Sequence, residues 1–243
     1  MIVLIITAVR VKSMDSHRIS GRILAENIAG PGMLRLVEQS MQSRAQKTSV
    51  TEIAVKERKY PQAALTFDDG PDIRYTPLLL DGLKERNVRA SFFLLGEKVE
   101  QYPELVERMQ KEGHLVGNHT YHHVQLNKLN ETKAREEILK TNNLIYETTG
   151  VYPLYLRPPF GAWKKNLELC VEMLPVFWTI DTLDWKVQNT EKIVRTVQEQ
   201  IEDGAIILMH DEYDTSVEAA LQVVDELKNQ GYELVTVDQL ILP

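Results

Sequence analysis

From Tyr60 onward the chain alternates between short apolar runs and amphipathic runs with helical spacing. The apolar runs are hydrophobic throughout, which is typical of parallel strands buried on both faces. The amphipathic runs have helix signals: Thr76 is the expected N-cap of one helix with Pro77 at its first position, and Gly150 ends another. Strands alternating with helices predict a parallel sheet covered by helices, and about seven such units predict an α/β fold, an irregular (β/α)7–8 barrel.

The expected elements follow one another without an internal repeat. The strands are expected at residues 63–67, 90–95, 114–117, 154–156, 176–180, 205–209 and 233–237, and the helices at 76–86, 103–112, 131–148, 164–173, 191–202 and 216–229. Residues 1–58 differ from the rest, because they are rich in Ser, Gln and charge and contain one plausible helix at 33–44. We expect them to form a helical or partly disordered N-terminal extension, and residues 59–243 to form the main domain.

The first nine residues are apolar and are followed by Arg10 and Lys12. A membrane-spanning helix needs about twenty apolar residues, so this run is too short to cross a bilayer. A secretory signal would have its basic residues before the apolar run. A remnant of an export or anchor segment, a mis-assigned start and a strand packed on the domain are the alternatives. The first is favoured, and it implies membrane association through the N-terminus.

Composition excludes some classes of function. The net charge is −7 and the basic residues are scattered, whereas a nucleic-acid partner needs a concentrated positive face. Cys170 is the single cysteine, so no internal disulfide can form, and its apolar neighbours predict a buried thiol. A chain without disulfides can function on either side of the membrane, so a cytoplasmic location stays open beside an extracytoplasmic one.

Polar clusters follow five of the expected strands, each just past the carboxyl end. The clusters are Asp68-Asp69, Asn118-His119, Arg157, residues 181–185 and His210. In a parallel barrel the carboxyl ends of the strands form the rim on which active sites are built. The sequence therefore predicts that these side chains meet in one active site.

His119 and His123 are four residues apart, so on a helical turn they would project from one face and bind one metal. Two histidines without a metal are the alternative. Thr120 follows His119 where a zincin helix needs Glu, and His122 is expected to point elsewhere. Asp69 would complete a site of two histidines and one carboxylate with open positions for water. Such a site also suits non-haem iron oxygenases, so the ligands alone leave the chemistry open.

The other clusters favour hydrolysis. Arg157 lies on a stiff Pro-Pro loop suited to holding a carboxylate, and residues 181–185 place carboxylates beside Trp185. His210 ends an apolar strand with a titratable imidazole. A metal, a carboxylate base and a histidine acid are the groups needed to hydrolyse an amide or an ester.

Five segments can be compared with known families as a set. They are TFDDG at 66–70, HTYHH at 119–123, RPPFG at 157–161, DTLDW at 181–185 and LMH at 208–210. The set resembles the polysaccharide deacetylase family (the NodB-homology domain, carbohydrate esterase family 4), whose pattern has T-F-D-D-G, H-[ST]-x-x-H, R-P-P-[YF]-G, D-x-x-D-W and L-x-H in this order. The resemblance covers about residues 60–243 and implies a barrel of the deacetylase type, with 59–243 as its catalytic domain.

The resemblance implies a role for each residue of the motifs. Asp69, His119 and His123 would bind one divalent metal, most often zinc, with cobalt or another divalent ion as alternatives. Asp68 would be the general base held by Arg157, and His210 the general acid oriented by Asp184. The backbone N–H of Phe160 would stabilise the oxyanion, while Trp185 and Leu208 would line the pocket for the acetyl methyl group. Phe160 replaces the Tyr of many members, a mild departure because the contribution there is from the backbone.

The implied activity is hydrolysis of a linear amide: removal of acetyl groups from N-acetylhexosamine residues of peptidoglycan or a chitin-type glycan. The acetylated glycan would be the partner, and an enzyme with that substrate would act outside the cytoplasm. Two alternatives remain. One keeps the chemistry but changes the substrate, to O-acetyl groups on xylan or to a non-sugar amide. The other is a non-catalytic glycan-binding module.

Overall fold

The computed structural model describes residues 59–163 and 173–241. The strands of these residues are β1 Gln62–Asp68, β2 Ser91–Leu94, β3 Leu115–Asn118, β4 Tyr155–Leu156, β5 Leu174–Pro175, β6 Ile180–Asp181, β7 Ala205–His210 and β8 Glu233–Leu234. Their helices are α1 Tyr75–Glu85, α2 Gly96–Gln101, α3 Pro103–Lys111, α4 Glu131–Thr149, α5 Asp184–Val187, α6 Thr190–Gln200, α7 Asp214–Asn229 and α8 Val237–Ile241, with 3-10 turns at Leu126–Lys128 and Pro159–Gly161.

The strands form one parallel sheet in the order β5-β4-β3-β2-β1-β7-β6. The eighth strand, β8, pairs with the amino end of β1 through Gln62 and Ala63. Because β5 and β6 stand at the two ends of this order, the described sheet is an incomplete, irregular barrel. The predicted α/β barrel class is therefore confirmed.

The core lies where the helices cover β1 and its neighbours. Leu65 and Phe67 of β1 and Phe92 of β2 are fully buried, and the rings of Phe67 and Phe92 stack at 5.3 Å. Leu80 of α1 and Val224 of α7 belong to the same cluster of buried residues. Six consecutive residues of β1 are buried, as expected for a central strand of a parallel sheet that is covered on both faces. Burial of this central strand fixes the position of its carboxyl end.

The start of α1 differs from the predicted one. The helix begins at Tyr75, so Thr76 lies inside it and is not the N-cap. The Asp72 carboxylate takes the capping role, since its Oδ1 accepts from the backbone N–H groups of Arg74 at 2.8 Å and Tyr75 at 2.9 Å. The Thr76 hydroxyl instead donates to the buried Asp211. This tertiary contact explains why a good capping residue lies in the helix.

Two further expectations were wrong in their bounds. The strand expected at 176–180 is divided, because the chain pairs at Leu174–Pro175 with β4 and again at Ile180–Asp181 with β7. The strand expected at 233–237 ends at Leu234, and α8 begins at Val237. Helix α2 was not predicted.

Other predictions fall outside the described residues: the extension at 1–58 with its apolar start and its helix at 33–44, most of the helix at 164–173, and Cys170. The division into an extension and a domain stays a prediction. Within 59–163 and 173–241 no helix is long and apolar enough to span a membrane.

Candidate active site

The carboxyl ends of the strands surround a cavity of about 420 Å³. The lining residues are Asp68, Asp69, His119, His123, Phe160, Trp178, Asp181, Leu183, Trp185, Leu208, His210, Glu212 and Tyr213. Two other residues predicted for the site, Arg157 and Asp184, are fully buried and contact the residues of this lining. The structure thus brings a side chain from each of the five clusters to this site, whereas Asn118 contacts Ile138 and Asn142 of α4 instead.

Asp69, His119 and His123 form a compact group of potential metal ligands. One donor atom from each lies within 4.8 Å of the other two. The Nε2 atoms of His119 and His123 lie 3.4 and 3.5 Å from the same oxygen, Asp69 Oδ1. The three donor atoms therefore converge on one point at the carboxyl ends of β1 and β3.

The backbone brings the histidines together in an unexpected way. Residues 119–123 form a loop and not the helical turn that their spacing suggested. Thr120 and His123 have left-handed backbone conformations, with φ of 67° and 54°, and Asp69 has a φ of 68°. Conformations of this kind are costly for residues other than glycine and concentrate at functional sites. His122 is exposed and contacts Glu137, so it takes no part in the group.

The donor set fits a divalent metal. His119 Nδ1 lies 2.6 Å from the backbone oxygen of Arg157, so Nδ1–H donates there and the Nε2 lone pair is left for a metal. Asp69 Oδ1 is buried without a hydrogen-bond partner. Burial alone would raise the pKa of Asp69, but the neighbouring histidines, His119 first, hold it well below its usual range. Burial lowers the pKa of His123 against the charge of Asp69. An ionised carboxylate and neutral imidazoles are the forms that bind zinc.

Asp68 is held by a buried guanidinium. Arg157 Nη1 donates to Asp68 Oδ1 at 2.8 Å and to Thr66 Oγ1 at 2.7 Å. The Arg157 side chain has no exposed area and its guanidinium carbon lies 4.2 Å from the ring centre of Phe93. Asp68 Oδ2 lies 3.7 Å from His119 Nε2. Arg157 therefore holds one oxygen of Asp68 and leaves the other beside the potential metal ligands.

His210 is held by Asp184. Asp184 Oδ1 lies 2.8 Å from His210 Nδ1, and Asp184 Oδ2 accepts the backbone N–H of His210 at 2.7 Å. Burial opposes a charged imidazole, but the hydrogen bond and the charge of Asp184 outweigh it and raise the pKa of His210 to about 9. His210 Nε2 lies 3.8 Å from Asp69 Oδ2. The imidazolium therefore faces the potential metal site from the side of β7.

The remaining predicted residues line the cavity. Leu208 is buried in β7, whereas Trp185 on α5 is 49% exposed and Phe160 is 65% exposed. Phe160 has a left-handed φ of 59°, and its ring centre lies 4.5 Å from that of His123. The Phe160 side chain therefore contacts a potential ligand, an interaction that the sequence did not predict.

Comparison with known proteins assigns the chain to a family. A model described as polysaccharide deacetylase matches residues 56–177, which include the segments TFDDG, HTYHH and RPPFG. The chain belongs to the polysaccharide deacetylase family. The resemblance found in the sequence is confirmed.

Individual members of the polysaccharide deacetylase family are similar over most of the chain. It is 42% identical over 185 residues to the peptidoglycan-N-acetylglucosamine deacetylase PgdA of Listeria monocytogenes, covering 76% of this chain and 40% of that protein. It is 44% identical over 177 residues to the peptidoglycan-N-acetylmuramic acid deacetylase PdaC of Bacillus subtilis, covering 73% and 38%. The chain thus spans about 40% of the length of these curated relatives.

A solved structure supports the fold assignment. The structure of peptidoglycan deacetylase PdaC from Bacillus subtilis matches with a TM-score of 0.73 and 42% identity, covering 75% of this chain and 91% of that one. Similarity at this level extends over the barrel and is consistent with the polysaccharide deacetylase fold.

Several residues of this site were not identified from the sequence. Trp178, Glu212 and Tyr213 line the cavity, and Thr66 accepts from Arg157. Glu212 and Tyr213 lie two and three residues after His210, the last residue of β7, so the rule used for the other clusters could have found them. Trp178 precedes β6 and offers no such signal, because the irregular chain between β5 and β6 carries it to the cavity.

Proposed function

We propose that the chain is a metal-dependent deacetylase that hydrolyses the acetamide of N-acetylhexosamine residues in a glycan. The observation that carries the proposal is a base and an acid flanking one group of potential metal ligands. Asp68 Oδ2 lies 3.7 Å from His119 Nε2, and His210 Nε2 lies 3.8 Å from Asp69 Oδ2. A site that only binds a metal would need neither the base Asp68 nor the acid His210.

Asp68 is the proposed general base. Its Oδ1 is occupied by Arg157, so Oδ2 is the atom that accepts a proton from the attacking water. The hydrogen bond from the guanidinium restricts the rotation of the carboxylate. The water oxygen then forms a bond to the acetyl carbonyl carbon.

Asp69, His119 and His123 are the residues proposed to hold the metal. When bound, a divalent metal supplies a Lewis acid that polarises the acetyl carbonyl and acidifies water. The backbone N–H of Phe160 is proposed to donate to the developing oxyanion. We propose zinc because nitrogen and carboxylate ligands in this number suit it.

His210 is the proposed general acid. Asp184 accepts Nδ1–H, so the proton at Nε2 is the one that faces the cavity. With a pKa of about 9 the imidazole is protonated at neutral pH. Transfer of that proton to the departing nitrogen allows the carbon–nitrogen bond to break, which gives acetate and the free amine.

The apolar part of the cavity is proposed to bind the acetyl group. Leu208 and Trp185 are the residues proposed to contact its methyl, and Trp178 and Tyr213 supply further aromatic surface in the same cavity. Aromatic faces are well suited to the apolar faces of sugar rings because both bury area without losing polar contacts. The lining thus supports an acetylated sugar as the substrate.

Peptidoglycan is the proposed polymer, with a chitin-type glycan as the second choice. Support comes from the names of the relatives, which act on N-acetylglucosamine or N-acetylmuramic acid of peptidoglycan. We therefore also propose that residues 59–243 are the catalytic domain and that the protein acts outside the cytoplasm, where peptidoglycan lies.

Release of acetate from a panel of substrates tests the proposal. Peptidoglycan, chitooligosaccharides, acetylxylan and a simple aryl acetamide are compared with the protein after chelation and after addition of zinc, cobalt or manganese. We expect no acetate from the chelated protein and the fastest release from peptidoglycan with zinc. Faster release from acetylxylan or the aryl amide would show that the substrate is an O-acetylated xylan or a non-sugar amide. Metal-loaded protein that binds glycan without releasing acetate would show that the chain is a binding module.

A further inference from the structure

The loop between the two histidines has an unusual backbone. Thr120 and His123, with φ of 67° and 54°, bracket two residues whose N–H groups have no partner in a regular element. A loop of this kind keeps its shape only when surrounding contacts determine it. Hydrogen bonds from Gly96, Glu97 and Val124 hold parts of this loop. The placement of His123 depends also on what accepts from the N–H groups of Tyr121 and His122.

A single side chain satisfies both. Glu137 Oε2 accepts from the backbone N–H of Tyr121 at 3.0 Å and of His122 at 2.9 Å. Glu137 Oε1 lies 2.8 Å from His122 Nδ1. The Glu137 side chain is mostly buried, with 16% of its area exposed. Hydrogen bonds from N–H groups to a carboxylate are about twice as strong as neutral ones.

The helix that carries Glu137 also holds the end of β3. On α4, the carbonyl of Ile138 and the side chain of Asn142 accept from Asn118 Nδ2 at 2.9 and 2.6 Å. Glu137, Ile138 and Asn142 thus contact consecutive parts of the chain from Asn118 to His122. One face of α4 therefore holds the loop in place through hydrogen bonds.

His119 is anchored without Glu137. Its backbone N–H donates to the carbonyl of Leu94 at 2.9 Å, and its Nδ1–H donates to the carbonyl of Arg157 at 2.6 Å. His123 is 31% exposed and has its ring against Phe160 at the cavity surface. Loss of the Glu137 contacts would therefore displace His123 more than His119.

We propose that Glu137 is a positioning residue for metal binding: by accepting two consecutive backbone N–H groups, it fixes the loop that places His123 beside Asp69. The inference rests on the proposed metal site. It adds a residue outside the five motifs, which acts through the backbone of the loop and not on the metal or the substrate.

Zinc affinity of the full chain, measured by competition with a chromophoric chelator, tests the role without any substrate. We expect Glu137→Ala to weaken zinc binding about 10- to 100-fold, the effect typical of residues that orient metal ligands. Glu137→Gln retains an acceptor oxygen and should recover most of the affinity. Glu136→Ala is the matched control, because Glu136 is the preceding, exposed residue of the same helix, and it should bind zinc like the wild type.

A purely structural role is separated by a second measurement. Circular dichroism establishes that each variant is folded. A folded protein with an intact site keeps its zinc affinity even when its free energy of unfolding is lower, so a weaker affinity in a folded variant reports a change in the site. The Co²⁺ absorption spectrum of Glu137→Ala should show altered coordination. Wild-type zinc affinity and spectrum in that variant would overturn the inference. If Glu137→Ala fails to fold, Glu137→Leu, which fills similar space without an acceptor oxygen, takes its place. Unchanged affinity and an unchanged cobalt spectrum in that variant would overturn the inference, and a weakened affinity or altered spectrum would support it.

Failure of the proposed function would look different. Wild-type protein that binds zinc but releases no acetate would remove the activity and leave the role of Glu137 standing. Wild-type protein that binds no zinc would overturn both.

Discussion

At the scale of single residues, the proposed chemistry depends on two ion pairs, Asp68 with Arg157 and His210 with Asp184. The acidic partner faces the cavity in the first pair and the basic partner in the second. Arg157 is buried behind Asp68, so a carboxylate faces the site on one side. Asp184 is buried behind His210, so an imidazolium faces it on the other. Asp184 stabilises the charged form of His210, and Arg157 holds one oxygen of Asp68 so that the other faces the cavity. This is the pattern expected when one group accepts a proton and another donates one.

Asp68→Asn should lower the rate of acetate release by about 10²- to 10⁴-fold, because an amide cannot accept the proton of the water. The metal content should remain that of the wild type, since the ligand group does not include Asp68. Acetate release at saturating substrate and elemental analysis measure the two quantities. Asp81→Asn, which alters a surface ion pair with Arg108, is the control and should change neither. A variant that kept most of its activity would show that the base is another group.

Asp184→Asn should move the alkaline limb of the pH–rate profile to lower pH. His210 must be protonated to act as the acid, so activity falls as the pH rises through its pKa of about 9. Without the charge of Asp184, burial prevails and lowers the pKa, and we expect a shift of more than about one pH unit. The profile of kcat measures it. Asp181→Asn, in the same motif but paired with the backbone of Leu183, should leave the limb in place.

The same pair has a consequence for stability. Because the folded-state pKa of His210 lies above its ordinary value of 6.5, the pair stabilises the fold fully below that pH and loses its contribution as the pH rises through about 9. Unfolding of the metal-free wild type and Asp184→Asn by urea should therefore differ most at pH 6 or below, and the difference should shrink by about pH 9. A constant difference across this range would contradict the assigned pKa.

At the scale of elements, the parts that local sequence controls were predictable and the parts held by tertiary contacts were not. β1 and α4 were predicted to within one or two residues, because a short, mostly apolar run indicates the strand, and helical spacing with a closing glycine indicates the helix. Helix α2 was missed because its first N–H groups donate to the carbonyls of Thr120 and Tyr121. Those carbonyls are more than twenty residues away in the sequence, and no local sequence pattern predicts these hydrogen bonds.

Gly96→Ala tests the contact between α2 and the histidine loop. A Cβ at Gly96 would lie 2.5 Å from Tyr121 Cδ2 and 3.1 Å from Tyr121 Cα, and would also clash with the buried Thr141 hydroxyl. We expect a loss of about 1–3 kcal/mol in unfolding free energy, and weaker zinc binding because the loop must shift. Urea denaturation and chelator competition measure the two effects. Glu97→Ala, exposed on the same turn, should cause neither. Normal stability in Gly96→Ala would mean that the packing at this point is loose.

At the scale of the whole molecule, the parallel sheet and the common end of the polar clusters followed from one regularity, the alternation of apolar strands with helices. The path between β5 and β6 did not, because Trp178 reaches the cavity from irregular chain. The distinction between residues that face the cavity and those behind it was also absent from the sequence pattern. Arg157 and Asp184 are polar residues at strand ends like the others, and only packing shows that they are buried.

Zinc should stabilise the whole domain, because the ligands lie directly after β1 and in the loop after β3 and converge only in the folded state. At a free zinc concentration about 100 times its Kd, linkage predicts about 2.7 kcal/mol of added stability. For a domain of this size that corresponds to a rise in Tm of about 5–10 °C. Differential scanning calorimetry with and without chelator measures it. In His123→Ala the rise should be much smaller, whereas His122→Ala should keep most of it, because His122 contacts Glu137 and not Asp69. An equal loss in both variants would show that the ligand assignment within the loop is wrong.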